Sequence, residues 1–167
     1  MLYIFSGLPG VGKSELAKLL AISTGSTYLR IDSLEQALRD EGVTDVNGKG
    51  YSIAYRIAFD NLKLGMSVVA DCVNPITLTR ETWHKVSRDA NVPFYDIEVI
   101  CSDQIEHKLR IETRKSEILG LELPSWQDVR NRRYQQWPDY EHIIVDTAGL
   151  TLEQSIGILN VKLGKSK

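Results

Sequence analysis

No apolar run in this chain of 167 residues approaches the roughly 18 residues needed to cross a bilayer, which excludes a helical membrane span. The opening run, MLYIF, is short, lacks the basic start of a signal peptide and passes into a glycine-rich stretch, so a cytoplasmic protein is expected. Cysteine is scarce. Cys72 and Cys101 sit in apolar runs without metal-type spacing, which argues for a reducing compartment, against a disulfide scaffold, and for two buried small hydrophobes. A strong charge of either sign is also missing: the net charge is −2, without the basic excess of a protein that neutralises many nucleic-acid phosphates. The one local concentration of cations, from Arg110 to Arg133, suits a small anionic ligand. With 43% hydrophobic and 25% charged residues and no low-complexity tract or repeat, the composition predicts one globular domain over residues 1–167.

What is present is an alternation. Short apolar, β-branched runs at Leu2 to Ser6, Thr27 to Ile31, Ser67 to Cys72, Phe94 to Cys101 and His142 to Asp146 read as buried strands. Between them come segments of helical period at Lys13 to Ser23, Ser33 to Arg39, Tyr51 to Leu64 (stopped at Gly65), Ile76 to Ala90 (with Pro75 in the first turn) and Asp103 to Leu119. Two more follow at Ser125 to Tyr134, with Ser125 and Asp128 as a capping-box-like start, and Thr151 to Leu163, capped by Thr151 and followed by a frayed tail to Lys167. This is the pattern of an α/β domain with a parallel sheet. The polar, glycine-rich loop Glu41 to Gly50 is either a solvated connection or the mobile wall of a pocket.

One segment carries chemistry. Gly7, Leu8, Pro9, Gly10, Val11, Gly12, Lys13 and Ser14 match G-x-x-x-x-G-K-[ST] without a mismatch, directly after a strand and directly before a helix. Wrapping a phosphate chain with inward-facing backbone N–H groups demands close approach and dihedrals that Gly7, Gly10 and Gly12 supply cheaply. Pro9 and Val11 complete the loop. Lys13 brings a cation to the β and γ phosphates, Ser14 offers a hydroxyl to Mg²⁺, and the following helix aims its positive end at the anion. ATP and Mg²⁺ are therefore the expected cofactors.

In an open α/β sheet the ligand lies beyond the carboxyl ends of the strands, which selects Asp32 and Asp71. Asp71, ending SVVAD, reads as a magnesium-holding acid or as a cap of the turn with Asn74 and Pro75. Asp32 reads as a helix N-cap or as a carboxylate that accepts a proton from a substrate hydroxyl. Arg110 and Arg114, four apart on a predicted helix, share a face and can grip one anion, or they belong to a solvated face salt-bridged by Glu106, Glu112 and Glu117. Arg130, Arg132 and Arg133 beside the Gly120 and Pro124 joint favour a closing lid over about residues 110–134.

With GLPGVGKS, RID at the second strand, VVADCVNP at the third, RIETR at the lid and IIVDTAGLTLEQS at the end, nearly the whole chain resembles the small P-loop kinases of the adenylate-kinase-like group. The nearest branch is the one containing polynucleotide-kinase-like, gluconate-kinase-like, chloramphenicol-phosphotransferase-like and zeta-toxin-like enzymes. The resemblance implies a three-layer P-loop NTPase fold: a five-stranded parallel sheet in the order 2-3-1-4-5, helices on both faces and a helical lid. It implies that Asp32 activates the acceptor hydroxyl, that Arg110 lies against the adenine and Arg114 against the transferred phosphate, and that Thr147 and Ala148 border the adenine. Lys13, Asp32 and Arg114 are then the catalytic set, with Tyr51, Arg39 and Arg80 as candidate acceptor-pocket residues.

The sequence departs from that pattern at Glu35, where polynucleotide-kinase-like members often carry an arginine; this speaks against nucleic acid as acceptor. The leading expectation is an ATP-dependent phosphotransferase acting on a hydroxyl of a small molecule. An NTP-binding switch or ATPase serving a macromolecular partner, and a toxin-type or polynucleotide kinase, are the alternatives. The sequence leaves the oligomeric state open.

Overall fold

The first strand shows how sequence becomes architecture. In Leu2–Ser6 (β1) every residue is buried, and alternate side chains enter opposite layers. Leu2 and Ile4 pack with Ala54, Ala58, Val68, Ala70, Trp83 and Val86; Tyr3 and Phe5 pack with Leu16, Leu20, Val69, Ile97, Val99, Val145 and Leu159. Two apolar clusters on the two faces of one sheet make three layers, and each fully buried Leu, Ile or Phe contributes about 1.5–3 kcal/mol. The structure, a computed structural model, describes residues 1–137 and 142–165. The end of the expected tail therefore lies outside the described residues.

Four further strands join β1: Thr27–Arg30 (β2), Val68–Asp71 (β3), Phe94–Ile100 (β4) and Ile143–Asp146 (β5). All pairings are parallel, in the order β2-β3-β1-β4-β5. This is the P-loop NTPase arrangement expected from the sequence. Lys13–Thr24 (α1) and Leu152–Lys162 (α7) cover one face, and Lys49–Lys63 (α3) and Thr77–Ala90 (α4) cover the other. Ile31–Asp40 (α2), Gln104–Thr113 (α5) and Trp126–Asn131 (α6) lie in the connections at the carboxyl edge of the sheet. The register sets Asp71 opposite both Phe5 and Arg30, so the ends of β1, β2 and β3 meet beside the glycine loop.

Several boundaries depart from the sequence reading. The helix expected over Asp103 to Leu119 stops at Thr113, and Arg114 is extended (φ −67, ψ 151). The reason is local competition: the Ser116 hydroxyl donates to Ile118 O at 2.7 Å and accepts from Ile118 N at 3.1 Å, a turn incompatible with continuing helix. The helix expected over Ser125 to Tyr134 ends at Asn131, because the next residues are drawn onto α4. Gln135 N donates to Pro75 O at 2.8 Å and the Gln135 side chain accepts from Thr77 N at 2.6 Å. Pro75 itself lies ahead of α4, whose N-cap is Ile76. The capping boxes at Ser125 and Thr151 are both formed.

Candidate active site

The loop between β1 and α1 keeps its shape through positions that reject a side chain. Gly7 has φ +144, and a Cβ there would fall against the Val99 carbonyl; Gly10 has φ +83, and a Cβ there would overlap the Ile111 side chain. The Gly7 amide donates to Val73 O at 3.1 Å, tying the loop to the end of β3. His107 Nε2 reaches Pro9 O at 2.8 Å and stacks edge-on against Trp126, so α5 and α6 fix the loop from the other side. The first-turn amides of α1 lack intrahelical partners by construction and point, with the helix dipole, at whatever sits above the loop.

Below the loop lies a buried ion pair. Lys13, only 8% exposed, donates to Oδ1 of Asp71. Tyr28 donates to Oδ2 at 2.7 Å, and Ser14 adds a hydrogen-bonding influence. Burial pushes the Asp71 carboxyl upward, but Lys13, Ser14 and Tyr28 outweigh it and hold it below the usual aspartate value. Burial and the Asp71 charge push the Tyr28 phenol well above its ordinary value, so it stays a donor. Ser14 and Asp71 thus stand together next to the cradle, and one hydroxyl plus one carboxylate suits Mg²⁺, which takes much of its shell from water and phosphate oxygens. Among the described residues no cluster of three or more His, Cys, Asp or Glu could hold a metal without such help.

On one flank Arg110 donates to Thr147 Oγ1 at 2.8 Å and Thr147 O at 3.0 Å, and to Glu106 at 2.5 Å. The Thr147 hydroxyl also lies 2.8 Å from Val11 O and 3.1 Å from Ile100 O. Loop, β4 and the segment after β5 therefore meet at one buried threonine. Arg114 caps α5 one turn after Arg110, its amide donating to Arg110 O at 3.1 Å, and both side chains line the same cleft, Arg110 from the Thr147 flank.

A cleft of about 400 Å³ opens above the loop and is lined by Lys13, Ser14, Asp32, Glu35, Arg110 and Arg114 among others. Asp32 is not an N-cap: Arg30 holds that position and Asp32 sits in the first turn of α2, where the helix dipole favours a carboxylate. Asp32, Glu35 and Arg39 form one stripe of α2 facing the cleft. Three guanidinium groups, from Arg30, Arg114 and Arg132, also line it. Arg30 Nε and Arg114 Nε and Nη2 are buried without hydrogen-bond partners. Burial lowers the Arg114 pKa, the Asp32 charge opposes this, and Arg30 and Arg132 add to it. The loop after α5 is docked: Glu117 accepts from Lys18 at 2.5 Å and Arg30 at 3.2 Å, joining that loop to α1 and β2.

Three sequence candidates lie elsewhere. Arg80 is wholly buried, donates to Asn74 O at 3.1 Å, Gln135 O at 2.8 Å and Gln136 O at 3.3 Å, and packs against the rings of Tyr134 and Trp137. It pins the chain after α6 rather than lining a pocket. The Tyr51 hydroxyl accepts from Asn74 N at 2.9 Å, outside the cleft. No residue from Glu41 to Gly50 lines the cleft; the segment folds into a turn in which the Asp45 side chain accepts from Asn47 N at 3.1 Å. Tyr28 and Arg30 were missed by the sequence reading. Their signal is the period of two on β2, which sends both toward Asp71.

A glycine cradle of this signature between β1 and α1, with a buried lysine and a strand-end aspartate at the carboxyl edge of a 2-3-1-4-5 sheet, has the architecture of the small P-loop kinases. Solved structures share it over nearly the full chain. A protein from Chloroflexus aurantiacus assigned as a kinase matches at TM-score 0.74 and 20% identity, covering 99% of this chain and 97% of that one. A sugar kinase from Janibacter sp. matches at 0.71 and 18%, covering 99% and 95%. Kti12 from Chaetomium thermophilum, solved with ADP-AlF3, matches at 0.69 and 18%, covering 99% and 98%. At such identities the likeness is one of fold. No family model matches the sequence, and no curated protein sequence does.

Proposed function

We propose that the protein is an ATP-dependent phosphotransferase that moves the γ-phosphoryl group to a hydroxyl of a small-molecule acceptor. One observation carries this reading: a single cleft is lined both by the phosphate cradle and by the Asp32, Glu35 and Arg39 stripe of α2, which brings a candidate base to the phosphate end of a bound nucleotide. The loop from Gly7 to Ser14, with Pro9 and Val11 shaping it, binds the triphosphate, while Arg110 and Thr147 border the base. Mg²⁺, held by Ser14 and Asp71, would neutralise phosphate charge. Lys13 and Arg114 stabilise the transferring group and Asp32 orients or deprotonates the acceptor hydroxyl, so rate enhancement comes from positioning and electrostatics. No helix among the described residues is long and apolar enough to cross a membrane.

The test is ATP turnover by the purified protein alone and with fractions of a cell extract. Acceleration by a low-molecular-weight fraction, with label from γ-labelled ATP appearing in a new small molecule, supports the reading. Acceleration only by macromolecules, with inorganic phosphate as the product, would replace it with an NTP-driven switch.

A further inference from the structure

Arg80 is a charge wholly withdrawn from water and set outside the cleft. Three carbonyls and two ring faces meet it. Its Nε donates to Asn74 O at 3.1 Å, its Nη2 to Gln135 O at 2.8 Å and its Nη1 to Gln136 O at 3.3 Å, while the rings of Tyr134 and Trp137 lie at 5.1 and 4.1 Å. Burying a guanidinium costs more than burying an apolar chain of its length, so packing does not account for it. What the planar fork adds is direction: it grips the turn after β3 with one edge and the chain after α6 with the other.

Both ends of α6 are thereby tied to the phosphate cradle, by separate routes. At its start Trp126 packs edge-on against His107, which reaches Pro9 O. After its end the chain meets Arg80, and so Asn74, whose Nδ2 donates to Ser6 Oγ at 3.0 Å just before Gly7. The cradle side of this junction has bonds of its own: Asn74 N donates to the Tyr51 hydroxyl at 2.9 Å and Gly7 N to Val73 O at 3.1 Å. On the α6 side Arg80 works beside Gln135, whose side chain accepts from Thr77 N at 2.6 Å at the start of α4. Between the two anchors stands Arg132. It ends α6 three residues before Gln135, within about 10 Å of it along the chain, and lines the cleft with Lys13, Asp32 and Arg114. Its charge opposes the rise that burial imposes on the Glu35 pKa and adds to the lowering that burial imposes on Arg114.

Resting on the proposed kinase reading, we propose that Arg80 is a positioning residue for phosphoryl transfer: by clasping the chain after α6 to the turn after β3, it holds the Arg132 guanidinium in the cleft, where Arg132 assists Arg114 at the transferred phosphate. The clasp acts through Arg132 and leaves nucleotide binding by the cradle intact.

The experiment follows label from γ-labelled ATP with Mg²⁺ into the low-molecular-weight fraction of a cell extract, for the wild type, Arg80→Met, Arg132→Met and the double variant. Calorimetry with a non-hydrolysable ATP analogue and the urea midpoint are measured alongside. Arg80→Met should slow transfer about 10- to 100-fold, the cost of a contact displaced by about an ångström, with analogue affinity within about threefold. Arg132→Met should do the same, and the double variant should be at most about twofold slower than the slower single, because one contact cannot be lost twice. Should Arg80→Met not fold, Gln135→Ala loosens the same segment from α4 and should slow transfer only while Arg132 is present. Gln135→Glu, which keeps an acceptor at the start of α4, should restore it. Losses that multiply in the double variant, or equal loss of affinity and transfer, overturn the inference and leave the kinase reading intact. So does wild-type transfer in Arg80→Met, or in Gln135→Ala where it stands in. No labelled product from the wild type overturns both.

Discussion

Tyr28 donates its phenolic hydrogen to Oδ2 of Asp71 at 2.7 Å while Lys13 occupies Oδ1, so one carboxylate is held at both oxygens before any nucleotide arrives. The resting site therefore balances the P-loop ammonium internally. On the proposed reading a polyphosphate draws Lys13 away from Asp71, while the Tyr28 bond still orients the carboxylate. Lys13→Ala should abolish binding of the magnesium–ATP complex. It should also cost about 3–5 kcal/mol of stability, because it strands a buried carboxylate. Titration calorimetry and urea denaturation check the two effects; undiminished affinity would remove the cradle from the mechanism.

The same pair sets an acid limb. Burial acts to raise the Asp71 pKa, but Lys13, Ser14 and Tyr28 leave it depressed in the fold. A depressed acid contributes stability that is complete above its unfolded value of about 3.9 and is lost as pH falls through the folded value. The urea midpoint of the wild type should thus drop steeply below about pH 4. In Asp71→Asn the midpoint should start lower at neutral pH and fall less steeply, so the curves converge in acid. Parallel curves would show that Asp71 titrates alike in both states.

Asp32 stands in the first turn of α2 facing the cleft, away from the buried pair. Asp32→Asn keeps the shape and removes the base, so phosphoryl transfer should fall by about 10²–10⁴-fold. Nucleotide affinity should stay within about threefold, since no phosphate contact is assigned to it. Single-turnover transfer and equilibrium binding separate the effects, and equal loss in both would make Asp32 a structural helix residue.

What the sequence made legible follows a physical division. The periods of two in LYIFS and of 3.6 in KSELAKLLAIST decide which faces are buried, and they located all five strands and the order of helices. The glycine loop was legible because its dihedrals leave few alternatives to glycine. Less legible were polar side chains whose partners are distant in the chain. Arg80 reads as a pocket cation until Gln135 and Gln136 are brought 2.8 and 3.3 Å from it. The segment from Ser116 to Leu119 reads as helix until the Ser116 hydroxyl turns the chain just after Arg114. Glu117 reads as a solvated helix acid, yet it joins α1 and β2 from 99 and 87 residues away.

That junction predicts a kinetic effect with little thermodynamic one. Glu117 is about half exposed, and exposed ion pairs contribute about 0–1 kcal/mol, so Glu117→Gln should barely move the urea midpoint. It should, however, loosen the lid over the nucleotide. Release of a fluorescent ATP analogue in stopped flow is expected to quicken several-fold, more at low salt than at high. An unchanged release rate would mean that the loop after α5 does not gate the site.

Arg114 sets function against stability. Its Nε and Nη2 are buried without partners, and its charge is disfavoured by burial and by Arg30 and Arg132. Each unsatisfied buried donor costs about 1–3 kcal/mol, a cost the transferred phosphate would relieve by accepting from both nitrogens. Arg114→Met fills similar volume without charge. It should therefore raise the melting temperature of the ligand-free protein by about 2–4 °C, the shift expected for roughly 1 kcal/mol in a chain of this size. The same change should lower phosphoryl transfer by about 10²-fold or more, as when a positioned donor to a developing oxyanion is lost. Calorimetry of the free protein and transfer from γ-labelled ATP to the low-molecular-weight fraction of a cell extract read the two sides. A variant less stable than the wild type would show that Asp32 alone compensates the guanidinium, and undiminished transfer would show that the unpartnered nitrogens do not meet the phosphate.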